Sequence, residues 1–392
     1  MSKSHAFQEY DFDDVYFNNV GSSNICEDND DDWTNSESER EEEADFNLVN
    51  PIVEEMYEYM QRHYDKPPMR TSTLTGRAYM DEIIEGNPAK CYEMFCMTPE
   101  LLEHLVDELA RHGYLRDGRG GVNATQAVAM LLYILGHNTR YRCVADRFQN
   151  SIETVSRHFR QALRAIHAYA KHLIKPDRNV AGLPKHLQFT YVHAGWEGSA
   201  NDSRAFEEAI SDRKHGFPWP PTGSYYLVDL GLAIGTSFLP PHKSTSYHAQ
   251  EFRSSSRWPT SKKELYNYRH SSLWMVIERS FGVLKARFHI LNLMPNFKQT
   301  RERYVIFVCC ALHNFICMNN RSDELFRTTR ENVGEGSATN SEGNGDTGAS
   351  TSSVTRRHVL EMSDASKRGM GQFRDNITDA VWDDYVTRGN VR

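Results

Sequence analysis

The spacing of apolar residues between Thr98 and Lys175 predicts a run of amphipathic α-helices. In the segment MTPELLEHLVDEL, leucines recur three and four positions apart, Thr98 stands at the N-cap position and Pro99 opens the helix. A second helix is predicted from Asn123 to Gly136, through AVAMLLYILG. This part of the chain is therefore expected to fold as a helical domain.

The following segment, TRYRCVADRFQNSIETVSRHFRQALRAIHAYA, predicts a helix-turn-helix. A short helix leads into a tight turn, and Ser151 caps a long helix whose inner stripe is Ile152, Val155, Phe159, Leu163 and Ile166. Three basic residues away from that stripe, Arg157, Arg160 and Arg164, are candidates for contacts with DNA. A structural cluster of three helices without DNA contact is the alternative that the pattern leaves open.

After Pro176 the apolar period changes, which predicts a mixed second part of the chain. LQFTYVHAG and SYYLVDLG are typical of strands, because they are rich in aromatic and β-branched residues. HSSLWMVIERSFGVLKARFHIL and RERYVIFVCCALHNFICM predict two further helices. The inner stripe of the first of these helices is expected to be Leu273, Ile277, Phe281, Leu284 and Phe288.

Charge is distributed unevenly along the 392 residues. Residues 1–45 carry fifteen acidic and two basic side chains, and residues 321–392 carry twelve and ten. Since the whole chain has a net charge of −8, residues 46–320 carry +7. A basic body suits a nucleic-acid binder, although an acidic tail that only improves solubility is equally compatible with the pattern. No apolar run is long enough to predict a membrane span, so no membrane partner is expected.

Four blocks in the second half occur in the order found in a known family. FTYVHAGWEGSANDSRAF, YYLVDLG, NYRHSSLWMVIERSFGVLKARFHIL and CCALHNFI resemble the Harbinger transposase-derived nucleases of plants and animals. With the preceding helices, the resemblance covers roughly two-thirds of the chain. It implies a DDE endonuclease, and with it an α+β fold class: a helical N-terminal domain with a helix-turn-helix, followed by a truncated ribonuclease-H-like domain.

The resemblance also implies site residues. Asp229 in LVDLG and Glu278 in VIERS match two catalytic metal ligands of the family, and Asp202 in GSANDSR matches a further acidic position tied to metal binding. The implied cofactor is a pair of divalent ions, Mg²⁺ or Mn²⁺. Taken alone, an Asp at a strand end is usually a turn former, and a Glu on an amphipathic helix usually faces solvent.

The block that carries the family's first aspartate, resembling GAIDGTH, is absent. Only KPDRNVAGLPKHLQ separates the helical domain from Phe189, and Asp177 is its sole carboxylate. The first strand is therefore expected to be missing, and metal binding and cleavage are expected to be impaired. Three hypotheses stay open: an active endonuclease, a catalytically dead DNA- or chromatin-binding protein, and a fragment produced by deletion or a misjoined gene model.

The predicted domain organisation follows from these observations. Residues 1–45 are expected to form an acidic disordered tail, 46–176 the helix-turn-helix-like domain, 177–320 the nuclease-like domain, 321–357 a disordered linker and 358–392 an amphipathic segment that either binds a partner or docks on the chain.

Partners and further basic residues complete the expectations. Five residues of the segment that contains Glu278 are candidates for phosphate contacts or for a solvated face: Arg269, His270, Arg279, Lys285 and Arg287. Of these, Arg279 and Lys285 are the preferred DNA-binding residues. The resemblance further implies DNA as partner, a Myb/SANT-like partner protein and a nuclear location.

Overall fold

The computed structural model describes residues 39–63, 68–117, 121–175, 187–196, 202–211, 213–220, 224–232, 234–235, 237–246, 258–320, 322–326 and 364–388. The chain divides into two compact units, Met1–Met69 and Arg70–Arg392. In the part of the chain that these ranges cover, no helix is both long and apolar enough to cross a membrane.

The first unit contains helix α1, Glu39–His63. This helix begins inside the acidic segment that was predicted to be disordered, and its first residues are mostly glutamates. Toward its C-terminus α1 exposes large apolar side chains, among them Ile52, Met56 and Tyr57.

The second unit begins with six helices: α2 (Gly76–Ile84), α3 (Pro88–Phe95), α4 (Pro99–Arg111), α5 (Ala124–His137), α6 (Tyr141–Arg147) and α7 (Ile152–Leu173). The helices predicted after Thr98 and Asn123 are confirmed. Asn123 caps α5, since its side chain accepts a hydrogen bond from the Gln126 amide at 2.7 Å. Thr98 occupies the N-cap position of α4 without a capping bond, and its side chain bonds Glu100 instead, which holds the pKa of that exposed carboxyl below its ordinary value.

Helices α6 and α7 have the order and turn that the sequence predicts. Ser151 caps α7 by accepting a hydrogen bond from the Thr154 amide at 2.9 Å. Along α7, Val155, Phe159, Leu163 and Ile166 are buried as expected. The prediction for Ile152 is wrong, because this first helical residue precedes the packed part of α7 and is 50% exposed.

One large core joins these helices to the C-terminal part of the unit. Helix α9 (Lys262–Arg287) and helix α10 (Gln299–Asn319) are the predicted late helices, and α9 starts eight residues before the predicted segment, where Ser261 caps it. Of the inner stripe predicted for this helix, Leu284 and Phe288 are buried, but the prediction is wrong for Ile277 and Phe281, which are exposed. Helix α7 packs against both α5 and α10. Buried side chains from α2 to α7 therefore share a single core with Val283, Leu312 and Phe315, and a cut at residue 176 would divide that core.

A much smaller apolar cluster surrounds the two strands that the structure describes. Strands β1 (Tyr226–Leu227) and β2 (Phe238–Leu239) pair in parallel, with Tyr226 opposite Phe238 and Leu227 opposite Leu239. Helix α8 (Asp202–Ser211) lies over them and contributes Ile210 and Phe206. The strand predicted in SYYLVDLG is confirmed over two residues, and the described part of this unit is mostly helical with few strands.

The strand predicted in LQFTYVHAG is wrong, because residues 187–196 form no strand. Their backbone groups are satisfied by side chains of α10 instead of by a neighbouring strand. The Asn314 carboxamide accepts from the Phe189 amide at 2.8 Å and donates to the Phe189 carbonyl at 2.7 Å. Nε2 of His313 lies 3.0 Å from the Leu187 carbonyl oxygen. The Asn314 side chain thus makes with Phe189 the pair of hydrogen bonds that a residue of a neighbouring strand would make.

The last helix, α11 (Asp364–Thr387), packs on α9 and β2 of the same chain. Nε2 of the buried His242 lies 2.9 Å from the Thr378 hydroxyl, and Lys262 pairs with Asp379 at 2.7 Å. Arg374 donates to the Pro241 carbonyl at 3.3 Å. The amphipathic C-terminal segment therefore docks in cis.

A buried ion pair ties the end of α9 to α3 and to residues 322–326. The Arg287 guanidinium donates to the Asp323 carboxylate and, at 2.8 Å, to the Cys96 carbonyl, and neither charged side chain is exposed. The Tyr92 hydroxyl donates to the same carboxylate at 3.3 Å. The interpretation of Arg287 as a phosphate contact is wrong, because its guanidinium is buried and hydrogen-bonds to Asp323 and the Cys96 carbonyl.

Candidate functional site

Asp229 is the second residue after β1, close to where the sequence motif predicted a strand end. It is half-buried, and its carboxylate accepts a hydrogen bond from the next backbone amide, that of Leu230, at 2.7 Å. The carboxylate therefore also begins a turn, as an Asp at a strand end commonly does.

The buried His270 of α9 faces this strand end. Its Nε2 lies 3.3 Å from the Leu239 carbonyl oxygen. Burial lowers the pKa of His270, while bonds to the Leu239 and Val228 backbone and the charge of Asp229 act in the opposite direction. His270 thus links α9 to both strands, and its interpretation as a phosphate contact is wrong because the ring is not exposed.

Asp202 is the first residue of α8 and is exposed. The next residue, Ser203, donates its hydroxyl proton to the Gly231 carbonyl at 2.8 Å. This bond fixes the start of α8 to the turn that follows Asp229, so Asp202 and Asp229 belong to adjoining elements.

Glu278 is exposed on α9, eight residues after His270. At 1.5 Å of rise per residue, it lies about 12 Å further along the helix axis than the residue that faces Asp229. Glu278 is therefore displaced along α9 from the strand end.

The three carboxylates do not form a metal centre as they stand. In the residues with described side chains, which include Asp202, Asp229 and Glu278, no group of three or more His, Cys, Asp or Glu side chains is arranged to hold a metal ion. The donor set therefore does not fit the two-ion arrangement that the family resemblance implies. Descent of these residues from metal ligands stays a prediction, and Asp177 lies outside the described ranges.

A second titratable cluster was not predicted from the sequence. Glu208 of α8 lies between two histidines, with its oxygens 3.7 Å from His193 Nε2 and 4.0 Å from His215 Nε2. The two imidazole centroids are 4.8 Å apart. No sequence signal could have found this group, because its members come from three separate elements.

A basic face runs along α7. Arg157 and Arg164 are exposed and Arg160 is half-buried, and with the exposed Lys171 these four side chains fall within an arc of about 60° around the helix. Extending the spacing of Arg157 and Arg164 by seven residues would have found Lys171 from the sequence. This basic face is the strongest concentration of positive charge on one described helix.

The two candidate DNA contacts on α9, Arg279 and Lys285, lie on different faces of the helix. Arg279 is half-buried, with its Nε 3.3 Å from the Met275 carbonyl oxygen, and Lys285 is exposed. The two residues are six positions apart, which separates them by about 120° around the helix. They therefore do not share a face, in contrast to the residues of α7.

Comparisons with known proteins give two family matches and one curated relative. Residues 71–168 match a family described as a domain of unknown function, and residues 180–314 match the family described as DDE superfamily endonuclease. A plant protein from Arabidopsis thaliana, "Protein ALP1-like", is 30% identical over 146 residues, which cover 33% of this chain and 32% of that protein. The chain thus spans about a third of the length of this relative. No solved structure matches.

Proposed function

We propose that this chain, which carries a DDE superfamily endonuclease domain over residues 180–314, binds duplex DNA and does not cut it. The resemblance read from the sequence motifs is confirmed at the level of this transposase-derived nuclease family. Family membership makes DNA the natural partner. Loss of cleavage is our inference for this particular chain.

The observation that carries the proposal is that no group of three or more His, Cys, Asp or Glu side chains in the described residues is arranged to hold a metal ion. Metal-assisted phosphoryl transfer requires two ions and the attacking oxygen in one geometry, and small misplacements reduce the rate by large factors. Glu278 is displaced along α9 from His270, which faces Asp229, and no third carboxylate joins them within the described part of the chain. The short β1–β2 pair offers little sheet to bring them together.

Binding is supported by the basic face of α7. Contacts with phosphates dominate the affinity of proteins for DNA, and this face carries Arg157, Arg160, Arg164 and Lys171 on a helix that follows a capped turn. Residues 46–320 carry +7 although the whole chain is acidic, which favours approach to a polyanion.

The test of binding is a fluorescence-anisotropy titration of the full chain with duplex DNA over a range of salt concentrations. We expect weak binding that falls steeply with salt. The Arg157→Ala, Arg164→Ala double variant should bind more weakly and show a salt slope smaller by about two. Absence of binding at low salt would refute a DNA-binding role.

The test of cleavage is a nicking assay with Mg²⁺ or Mn²⁺, run beside the Glu278→Gln variant. We expect no nicking by either protein. Nicking by the wild type that disappears in Glu278→Gln would show that the ancestral site works, and the inactive half of the proposal would be wrong.

Two further parts of the proposal rest on family resemblance alone. We infer a nuclear location and a Myb/SANT-like partner protein. Imaging of a fluorescent fusion tests the first, and co-purification with a co-expressed Myb/SANT-domain protein tests the second. Exclusion from the nucleus, or failure to co-purify, would remove the respective inference and leave DNA binding untouched.

A further inference from the structure

The turn between α6 and α7 holds the start of α7 in a fixed position. The Asn150 amide donates to the Ala145 carbonyl at 2.9 Å, and the Asn150 side chain donates to the Phe148 carbonyl at 2.8 Å. Ser151 then caps α7 through its hydroxyl. The first helical residues are therefore presented in one backbone geometry before any ligand binds, which lowers the entropic cost of binding.

The first turn of α7 presents two side chains that do not suit a phosphate contact. Ile152 is 50% exposed, and Glu153 is also exposed. An isoleucine side chain has no hydrogen-bond donor, and an ionised carboxylate only accepts hydrogen bonds and repels the phosphate charge. The start of α7 therefore differs in chemistry from the rest of the helix, which carries the basic face.

Glu153 is nevertheless aligned with the basic face of α7. At about 100° of rotation per residue, it lies within about 40° of every residue of that face around the helix axis. Duplex DNA that contacts the basic face therefore also comes close to the Glu153 carboxylate. Contact with a phosphate would be unfavourable there, so the carboxylate needs a hydrogen-bond donor of the DNA.

The DNA groups that can donate to a carboxylate are the amino groups of the bases. In the major groove these are the N4 amino group of cytosine and the N6 amino group of adenine. Adenine also presents the N7 acceptor beside N6, which repels a carboxylate, whereas cytosine presents the donor alone. The chemistry of Glu153 therefore favours cytosine.

We propose that Glu153 is a specificity-determining residue that recognises a C·G base pair, through a hydrogen bond from the cytosine N4 amino group to its carboxylate. This proposal rests on the proposed function, in which the basic face of α7 contacts duplex DNA. In helix-turn-helix proteins the N-terminal residues of the second helix contact base edges in the major groove, and Glu153 is the second residue of α7. The basic residues further along the helix contact phosphates, so base selection and general affinity belong to two parts of one helix surface.

The first experiment selects duplexes from a pool with a randomised segment, using the full chain, two variants and a control. The wild type should enrich sequences with a C·G pair at one position, and Glu153→Ala should lose the preference at that position alone. Glu153→Gln should prefer adenine there, because a carboxamide pairs with both N6 and N7 of adenine. Glu103→Ala, which removes an exposed glutamate of α4, is the matched control and should select like the wild type.

Anisotropy titrations then compare a selected duplex with the same duplex in which the C·G pair is replaced by T·A. The wild type should bind the selected duplex about tenfold more tightly, and Glu153→Ala should bind both duplexes with nearly equal affinity. Arg164→Ala should weaken binding to both duplexes by the same factor and lower the salt slope by about one, since it removes a phosphate contact.

Thermal unfolding separates base recognition from a structural role. A carboxylate in the first turn of a helix also interacts favourably with the helix macrodipole, so both Glu153 variants should melt at a slightly lower temperature than the wild type. A role confined to helix stability would leave the base preference of the folded variants unchanged. Absence of the switch to adenine in folded Glu153→Gln, together with an unchanged preference in Glu153→Ala, would overturn the proposal.

The selection also separates failure of this proposal from failure of DNA binding. If the wild type and Glu153→Ala bind duplex DNA with the same base preferences, or with none, the role of Glu153 is wrong and DNA binding stands. A preference that is lost at a position other than a C·G pair would overturn the assignment of cytosine. If the wild type binds no duplex at low salt, DNA binding itself fails and base recognition fails with it.

Discussion

The core around α5, α7 and α10 and the small cluster around β1 and β2 are both rich in apolar residues. They differ in the hydrogen-bond partners that their elements need in order to form. Helices satisfy their backbone hydrogen bonds locally, so α5, α7 and α10 need only pack their apolar faces together. Strands depend on partners that are distant in the sequence. Strands β1 and β2 pair over only two residues each, and Phe189 hydrogen-bonds to the Asn314 side chain rather than to a neighbouring strand. The second region therefore depends more than the first on contacts between distant parts of the chain.

The largest expected effect comes from the buried ion pair that anchors the large core. Replacing Asp323 by Ala leaves the Arg287 charge buried without its partner, and we expect the free energy of unfolding to fall by about 3–5 kcal/mol. Chemical denaturation measures this loss. The double variant Arg287→Met, Asp323→Leu is the control, and its stability should return close to that of the wild type. A loss below about 1 kcal/mol in Asp323→Ala would show that the pair does not anchor this core.

A pair of truncations compares the two regions directly. Leu131→Ala opens a cavity beneath α5, and we expect the main unfolding transition to lose about 2–5 kcal/mol. Phe238→Ala should leave that transition nearly unchanged and speed amide hydrogen exchange in residues 226–239, because the small cluster unfolds locally. Equal losses of unfolding free energy in the main transition would mean that the two regions form one cooperative unit, and independent local unfolding of the small cluster would be ruled out.

Acid should weaken the large core and the docking of α11 through buried histidines. Burial lowers the pKa of His313 to about 4, and burial together with the charge of Arg374 does the same for His242. Below an ordinary value near 6.5, the unfolded chain binds a proton that the folded chain rejects, so stability is full above about pH 6.5 and falls as the pH drops toward 4. Each histidine accounts for a loss on the order of 3 kcal/mol at most.

Variants assign this acid sensitivity to the two regions. Between pH 7 and 5, His313→Gln should reduce the pH-dependent loss of unfolding free energy in the main transition. His242→Gln should reduce the acid sensitivity of the α11 region only. Stability that declines identically in His313→Gln and wild type would contradict the role given to His313.

The smallest expected effect concerns the docking of α11. Thr378→Val removes the hydroxyl beside His242, and we expect about 1 kcal/mol of local destabilisation. Hydrogen exchange in residues 364–387 should accelerate while the main transition keeps its midpoint. The exposed Thr387→Val change on the same helix is the matched control. Equal exchange in both variants would remove the Thr378–His242 contact as a determinant of docking.

The sequence by itself determined most of the helices, because their signals are local. Asn123 and Ser151 cap the helices they precede, and the apolar stripe of α7 is buried from Val155 onward. It also indicated a resemblance to DDE endonucleases, since several motifs stand in one order, and residues 180–314 match that family. On the surface, the regular spacing of Arg157, Arg160 and Arg164 was sufficient to predict a basic face.

Only the tertiary structure decided features that depend on residues distant in the chain. The alternation in LQFTYVHAG is strand-like, yet a strand needs a neighbour, and the Asn314 amide took that place. Arg287 and His270 look like surface bases in sequence, but each is buried against partners from other elements, Asp323 and the Leu239 carbonyl. Whether Asp202, Asp229 and Glu278 converge depends on a sheet that the remaining strands barely form. Local pattern fixes a helix because its hydrogen bonds lie within four residues, whereas a sheet and a carboxylate site exist only when separate parts of the chain meet.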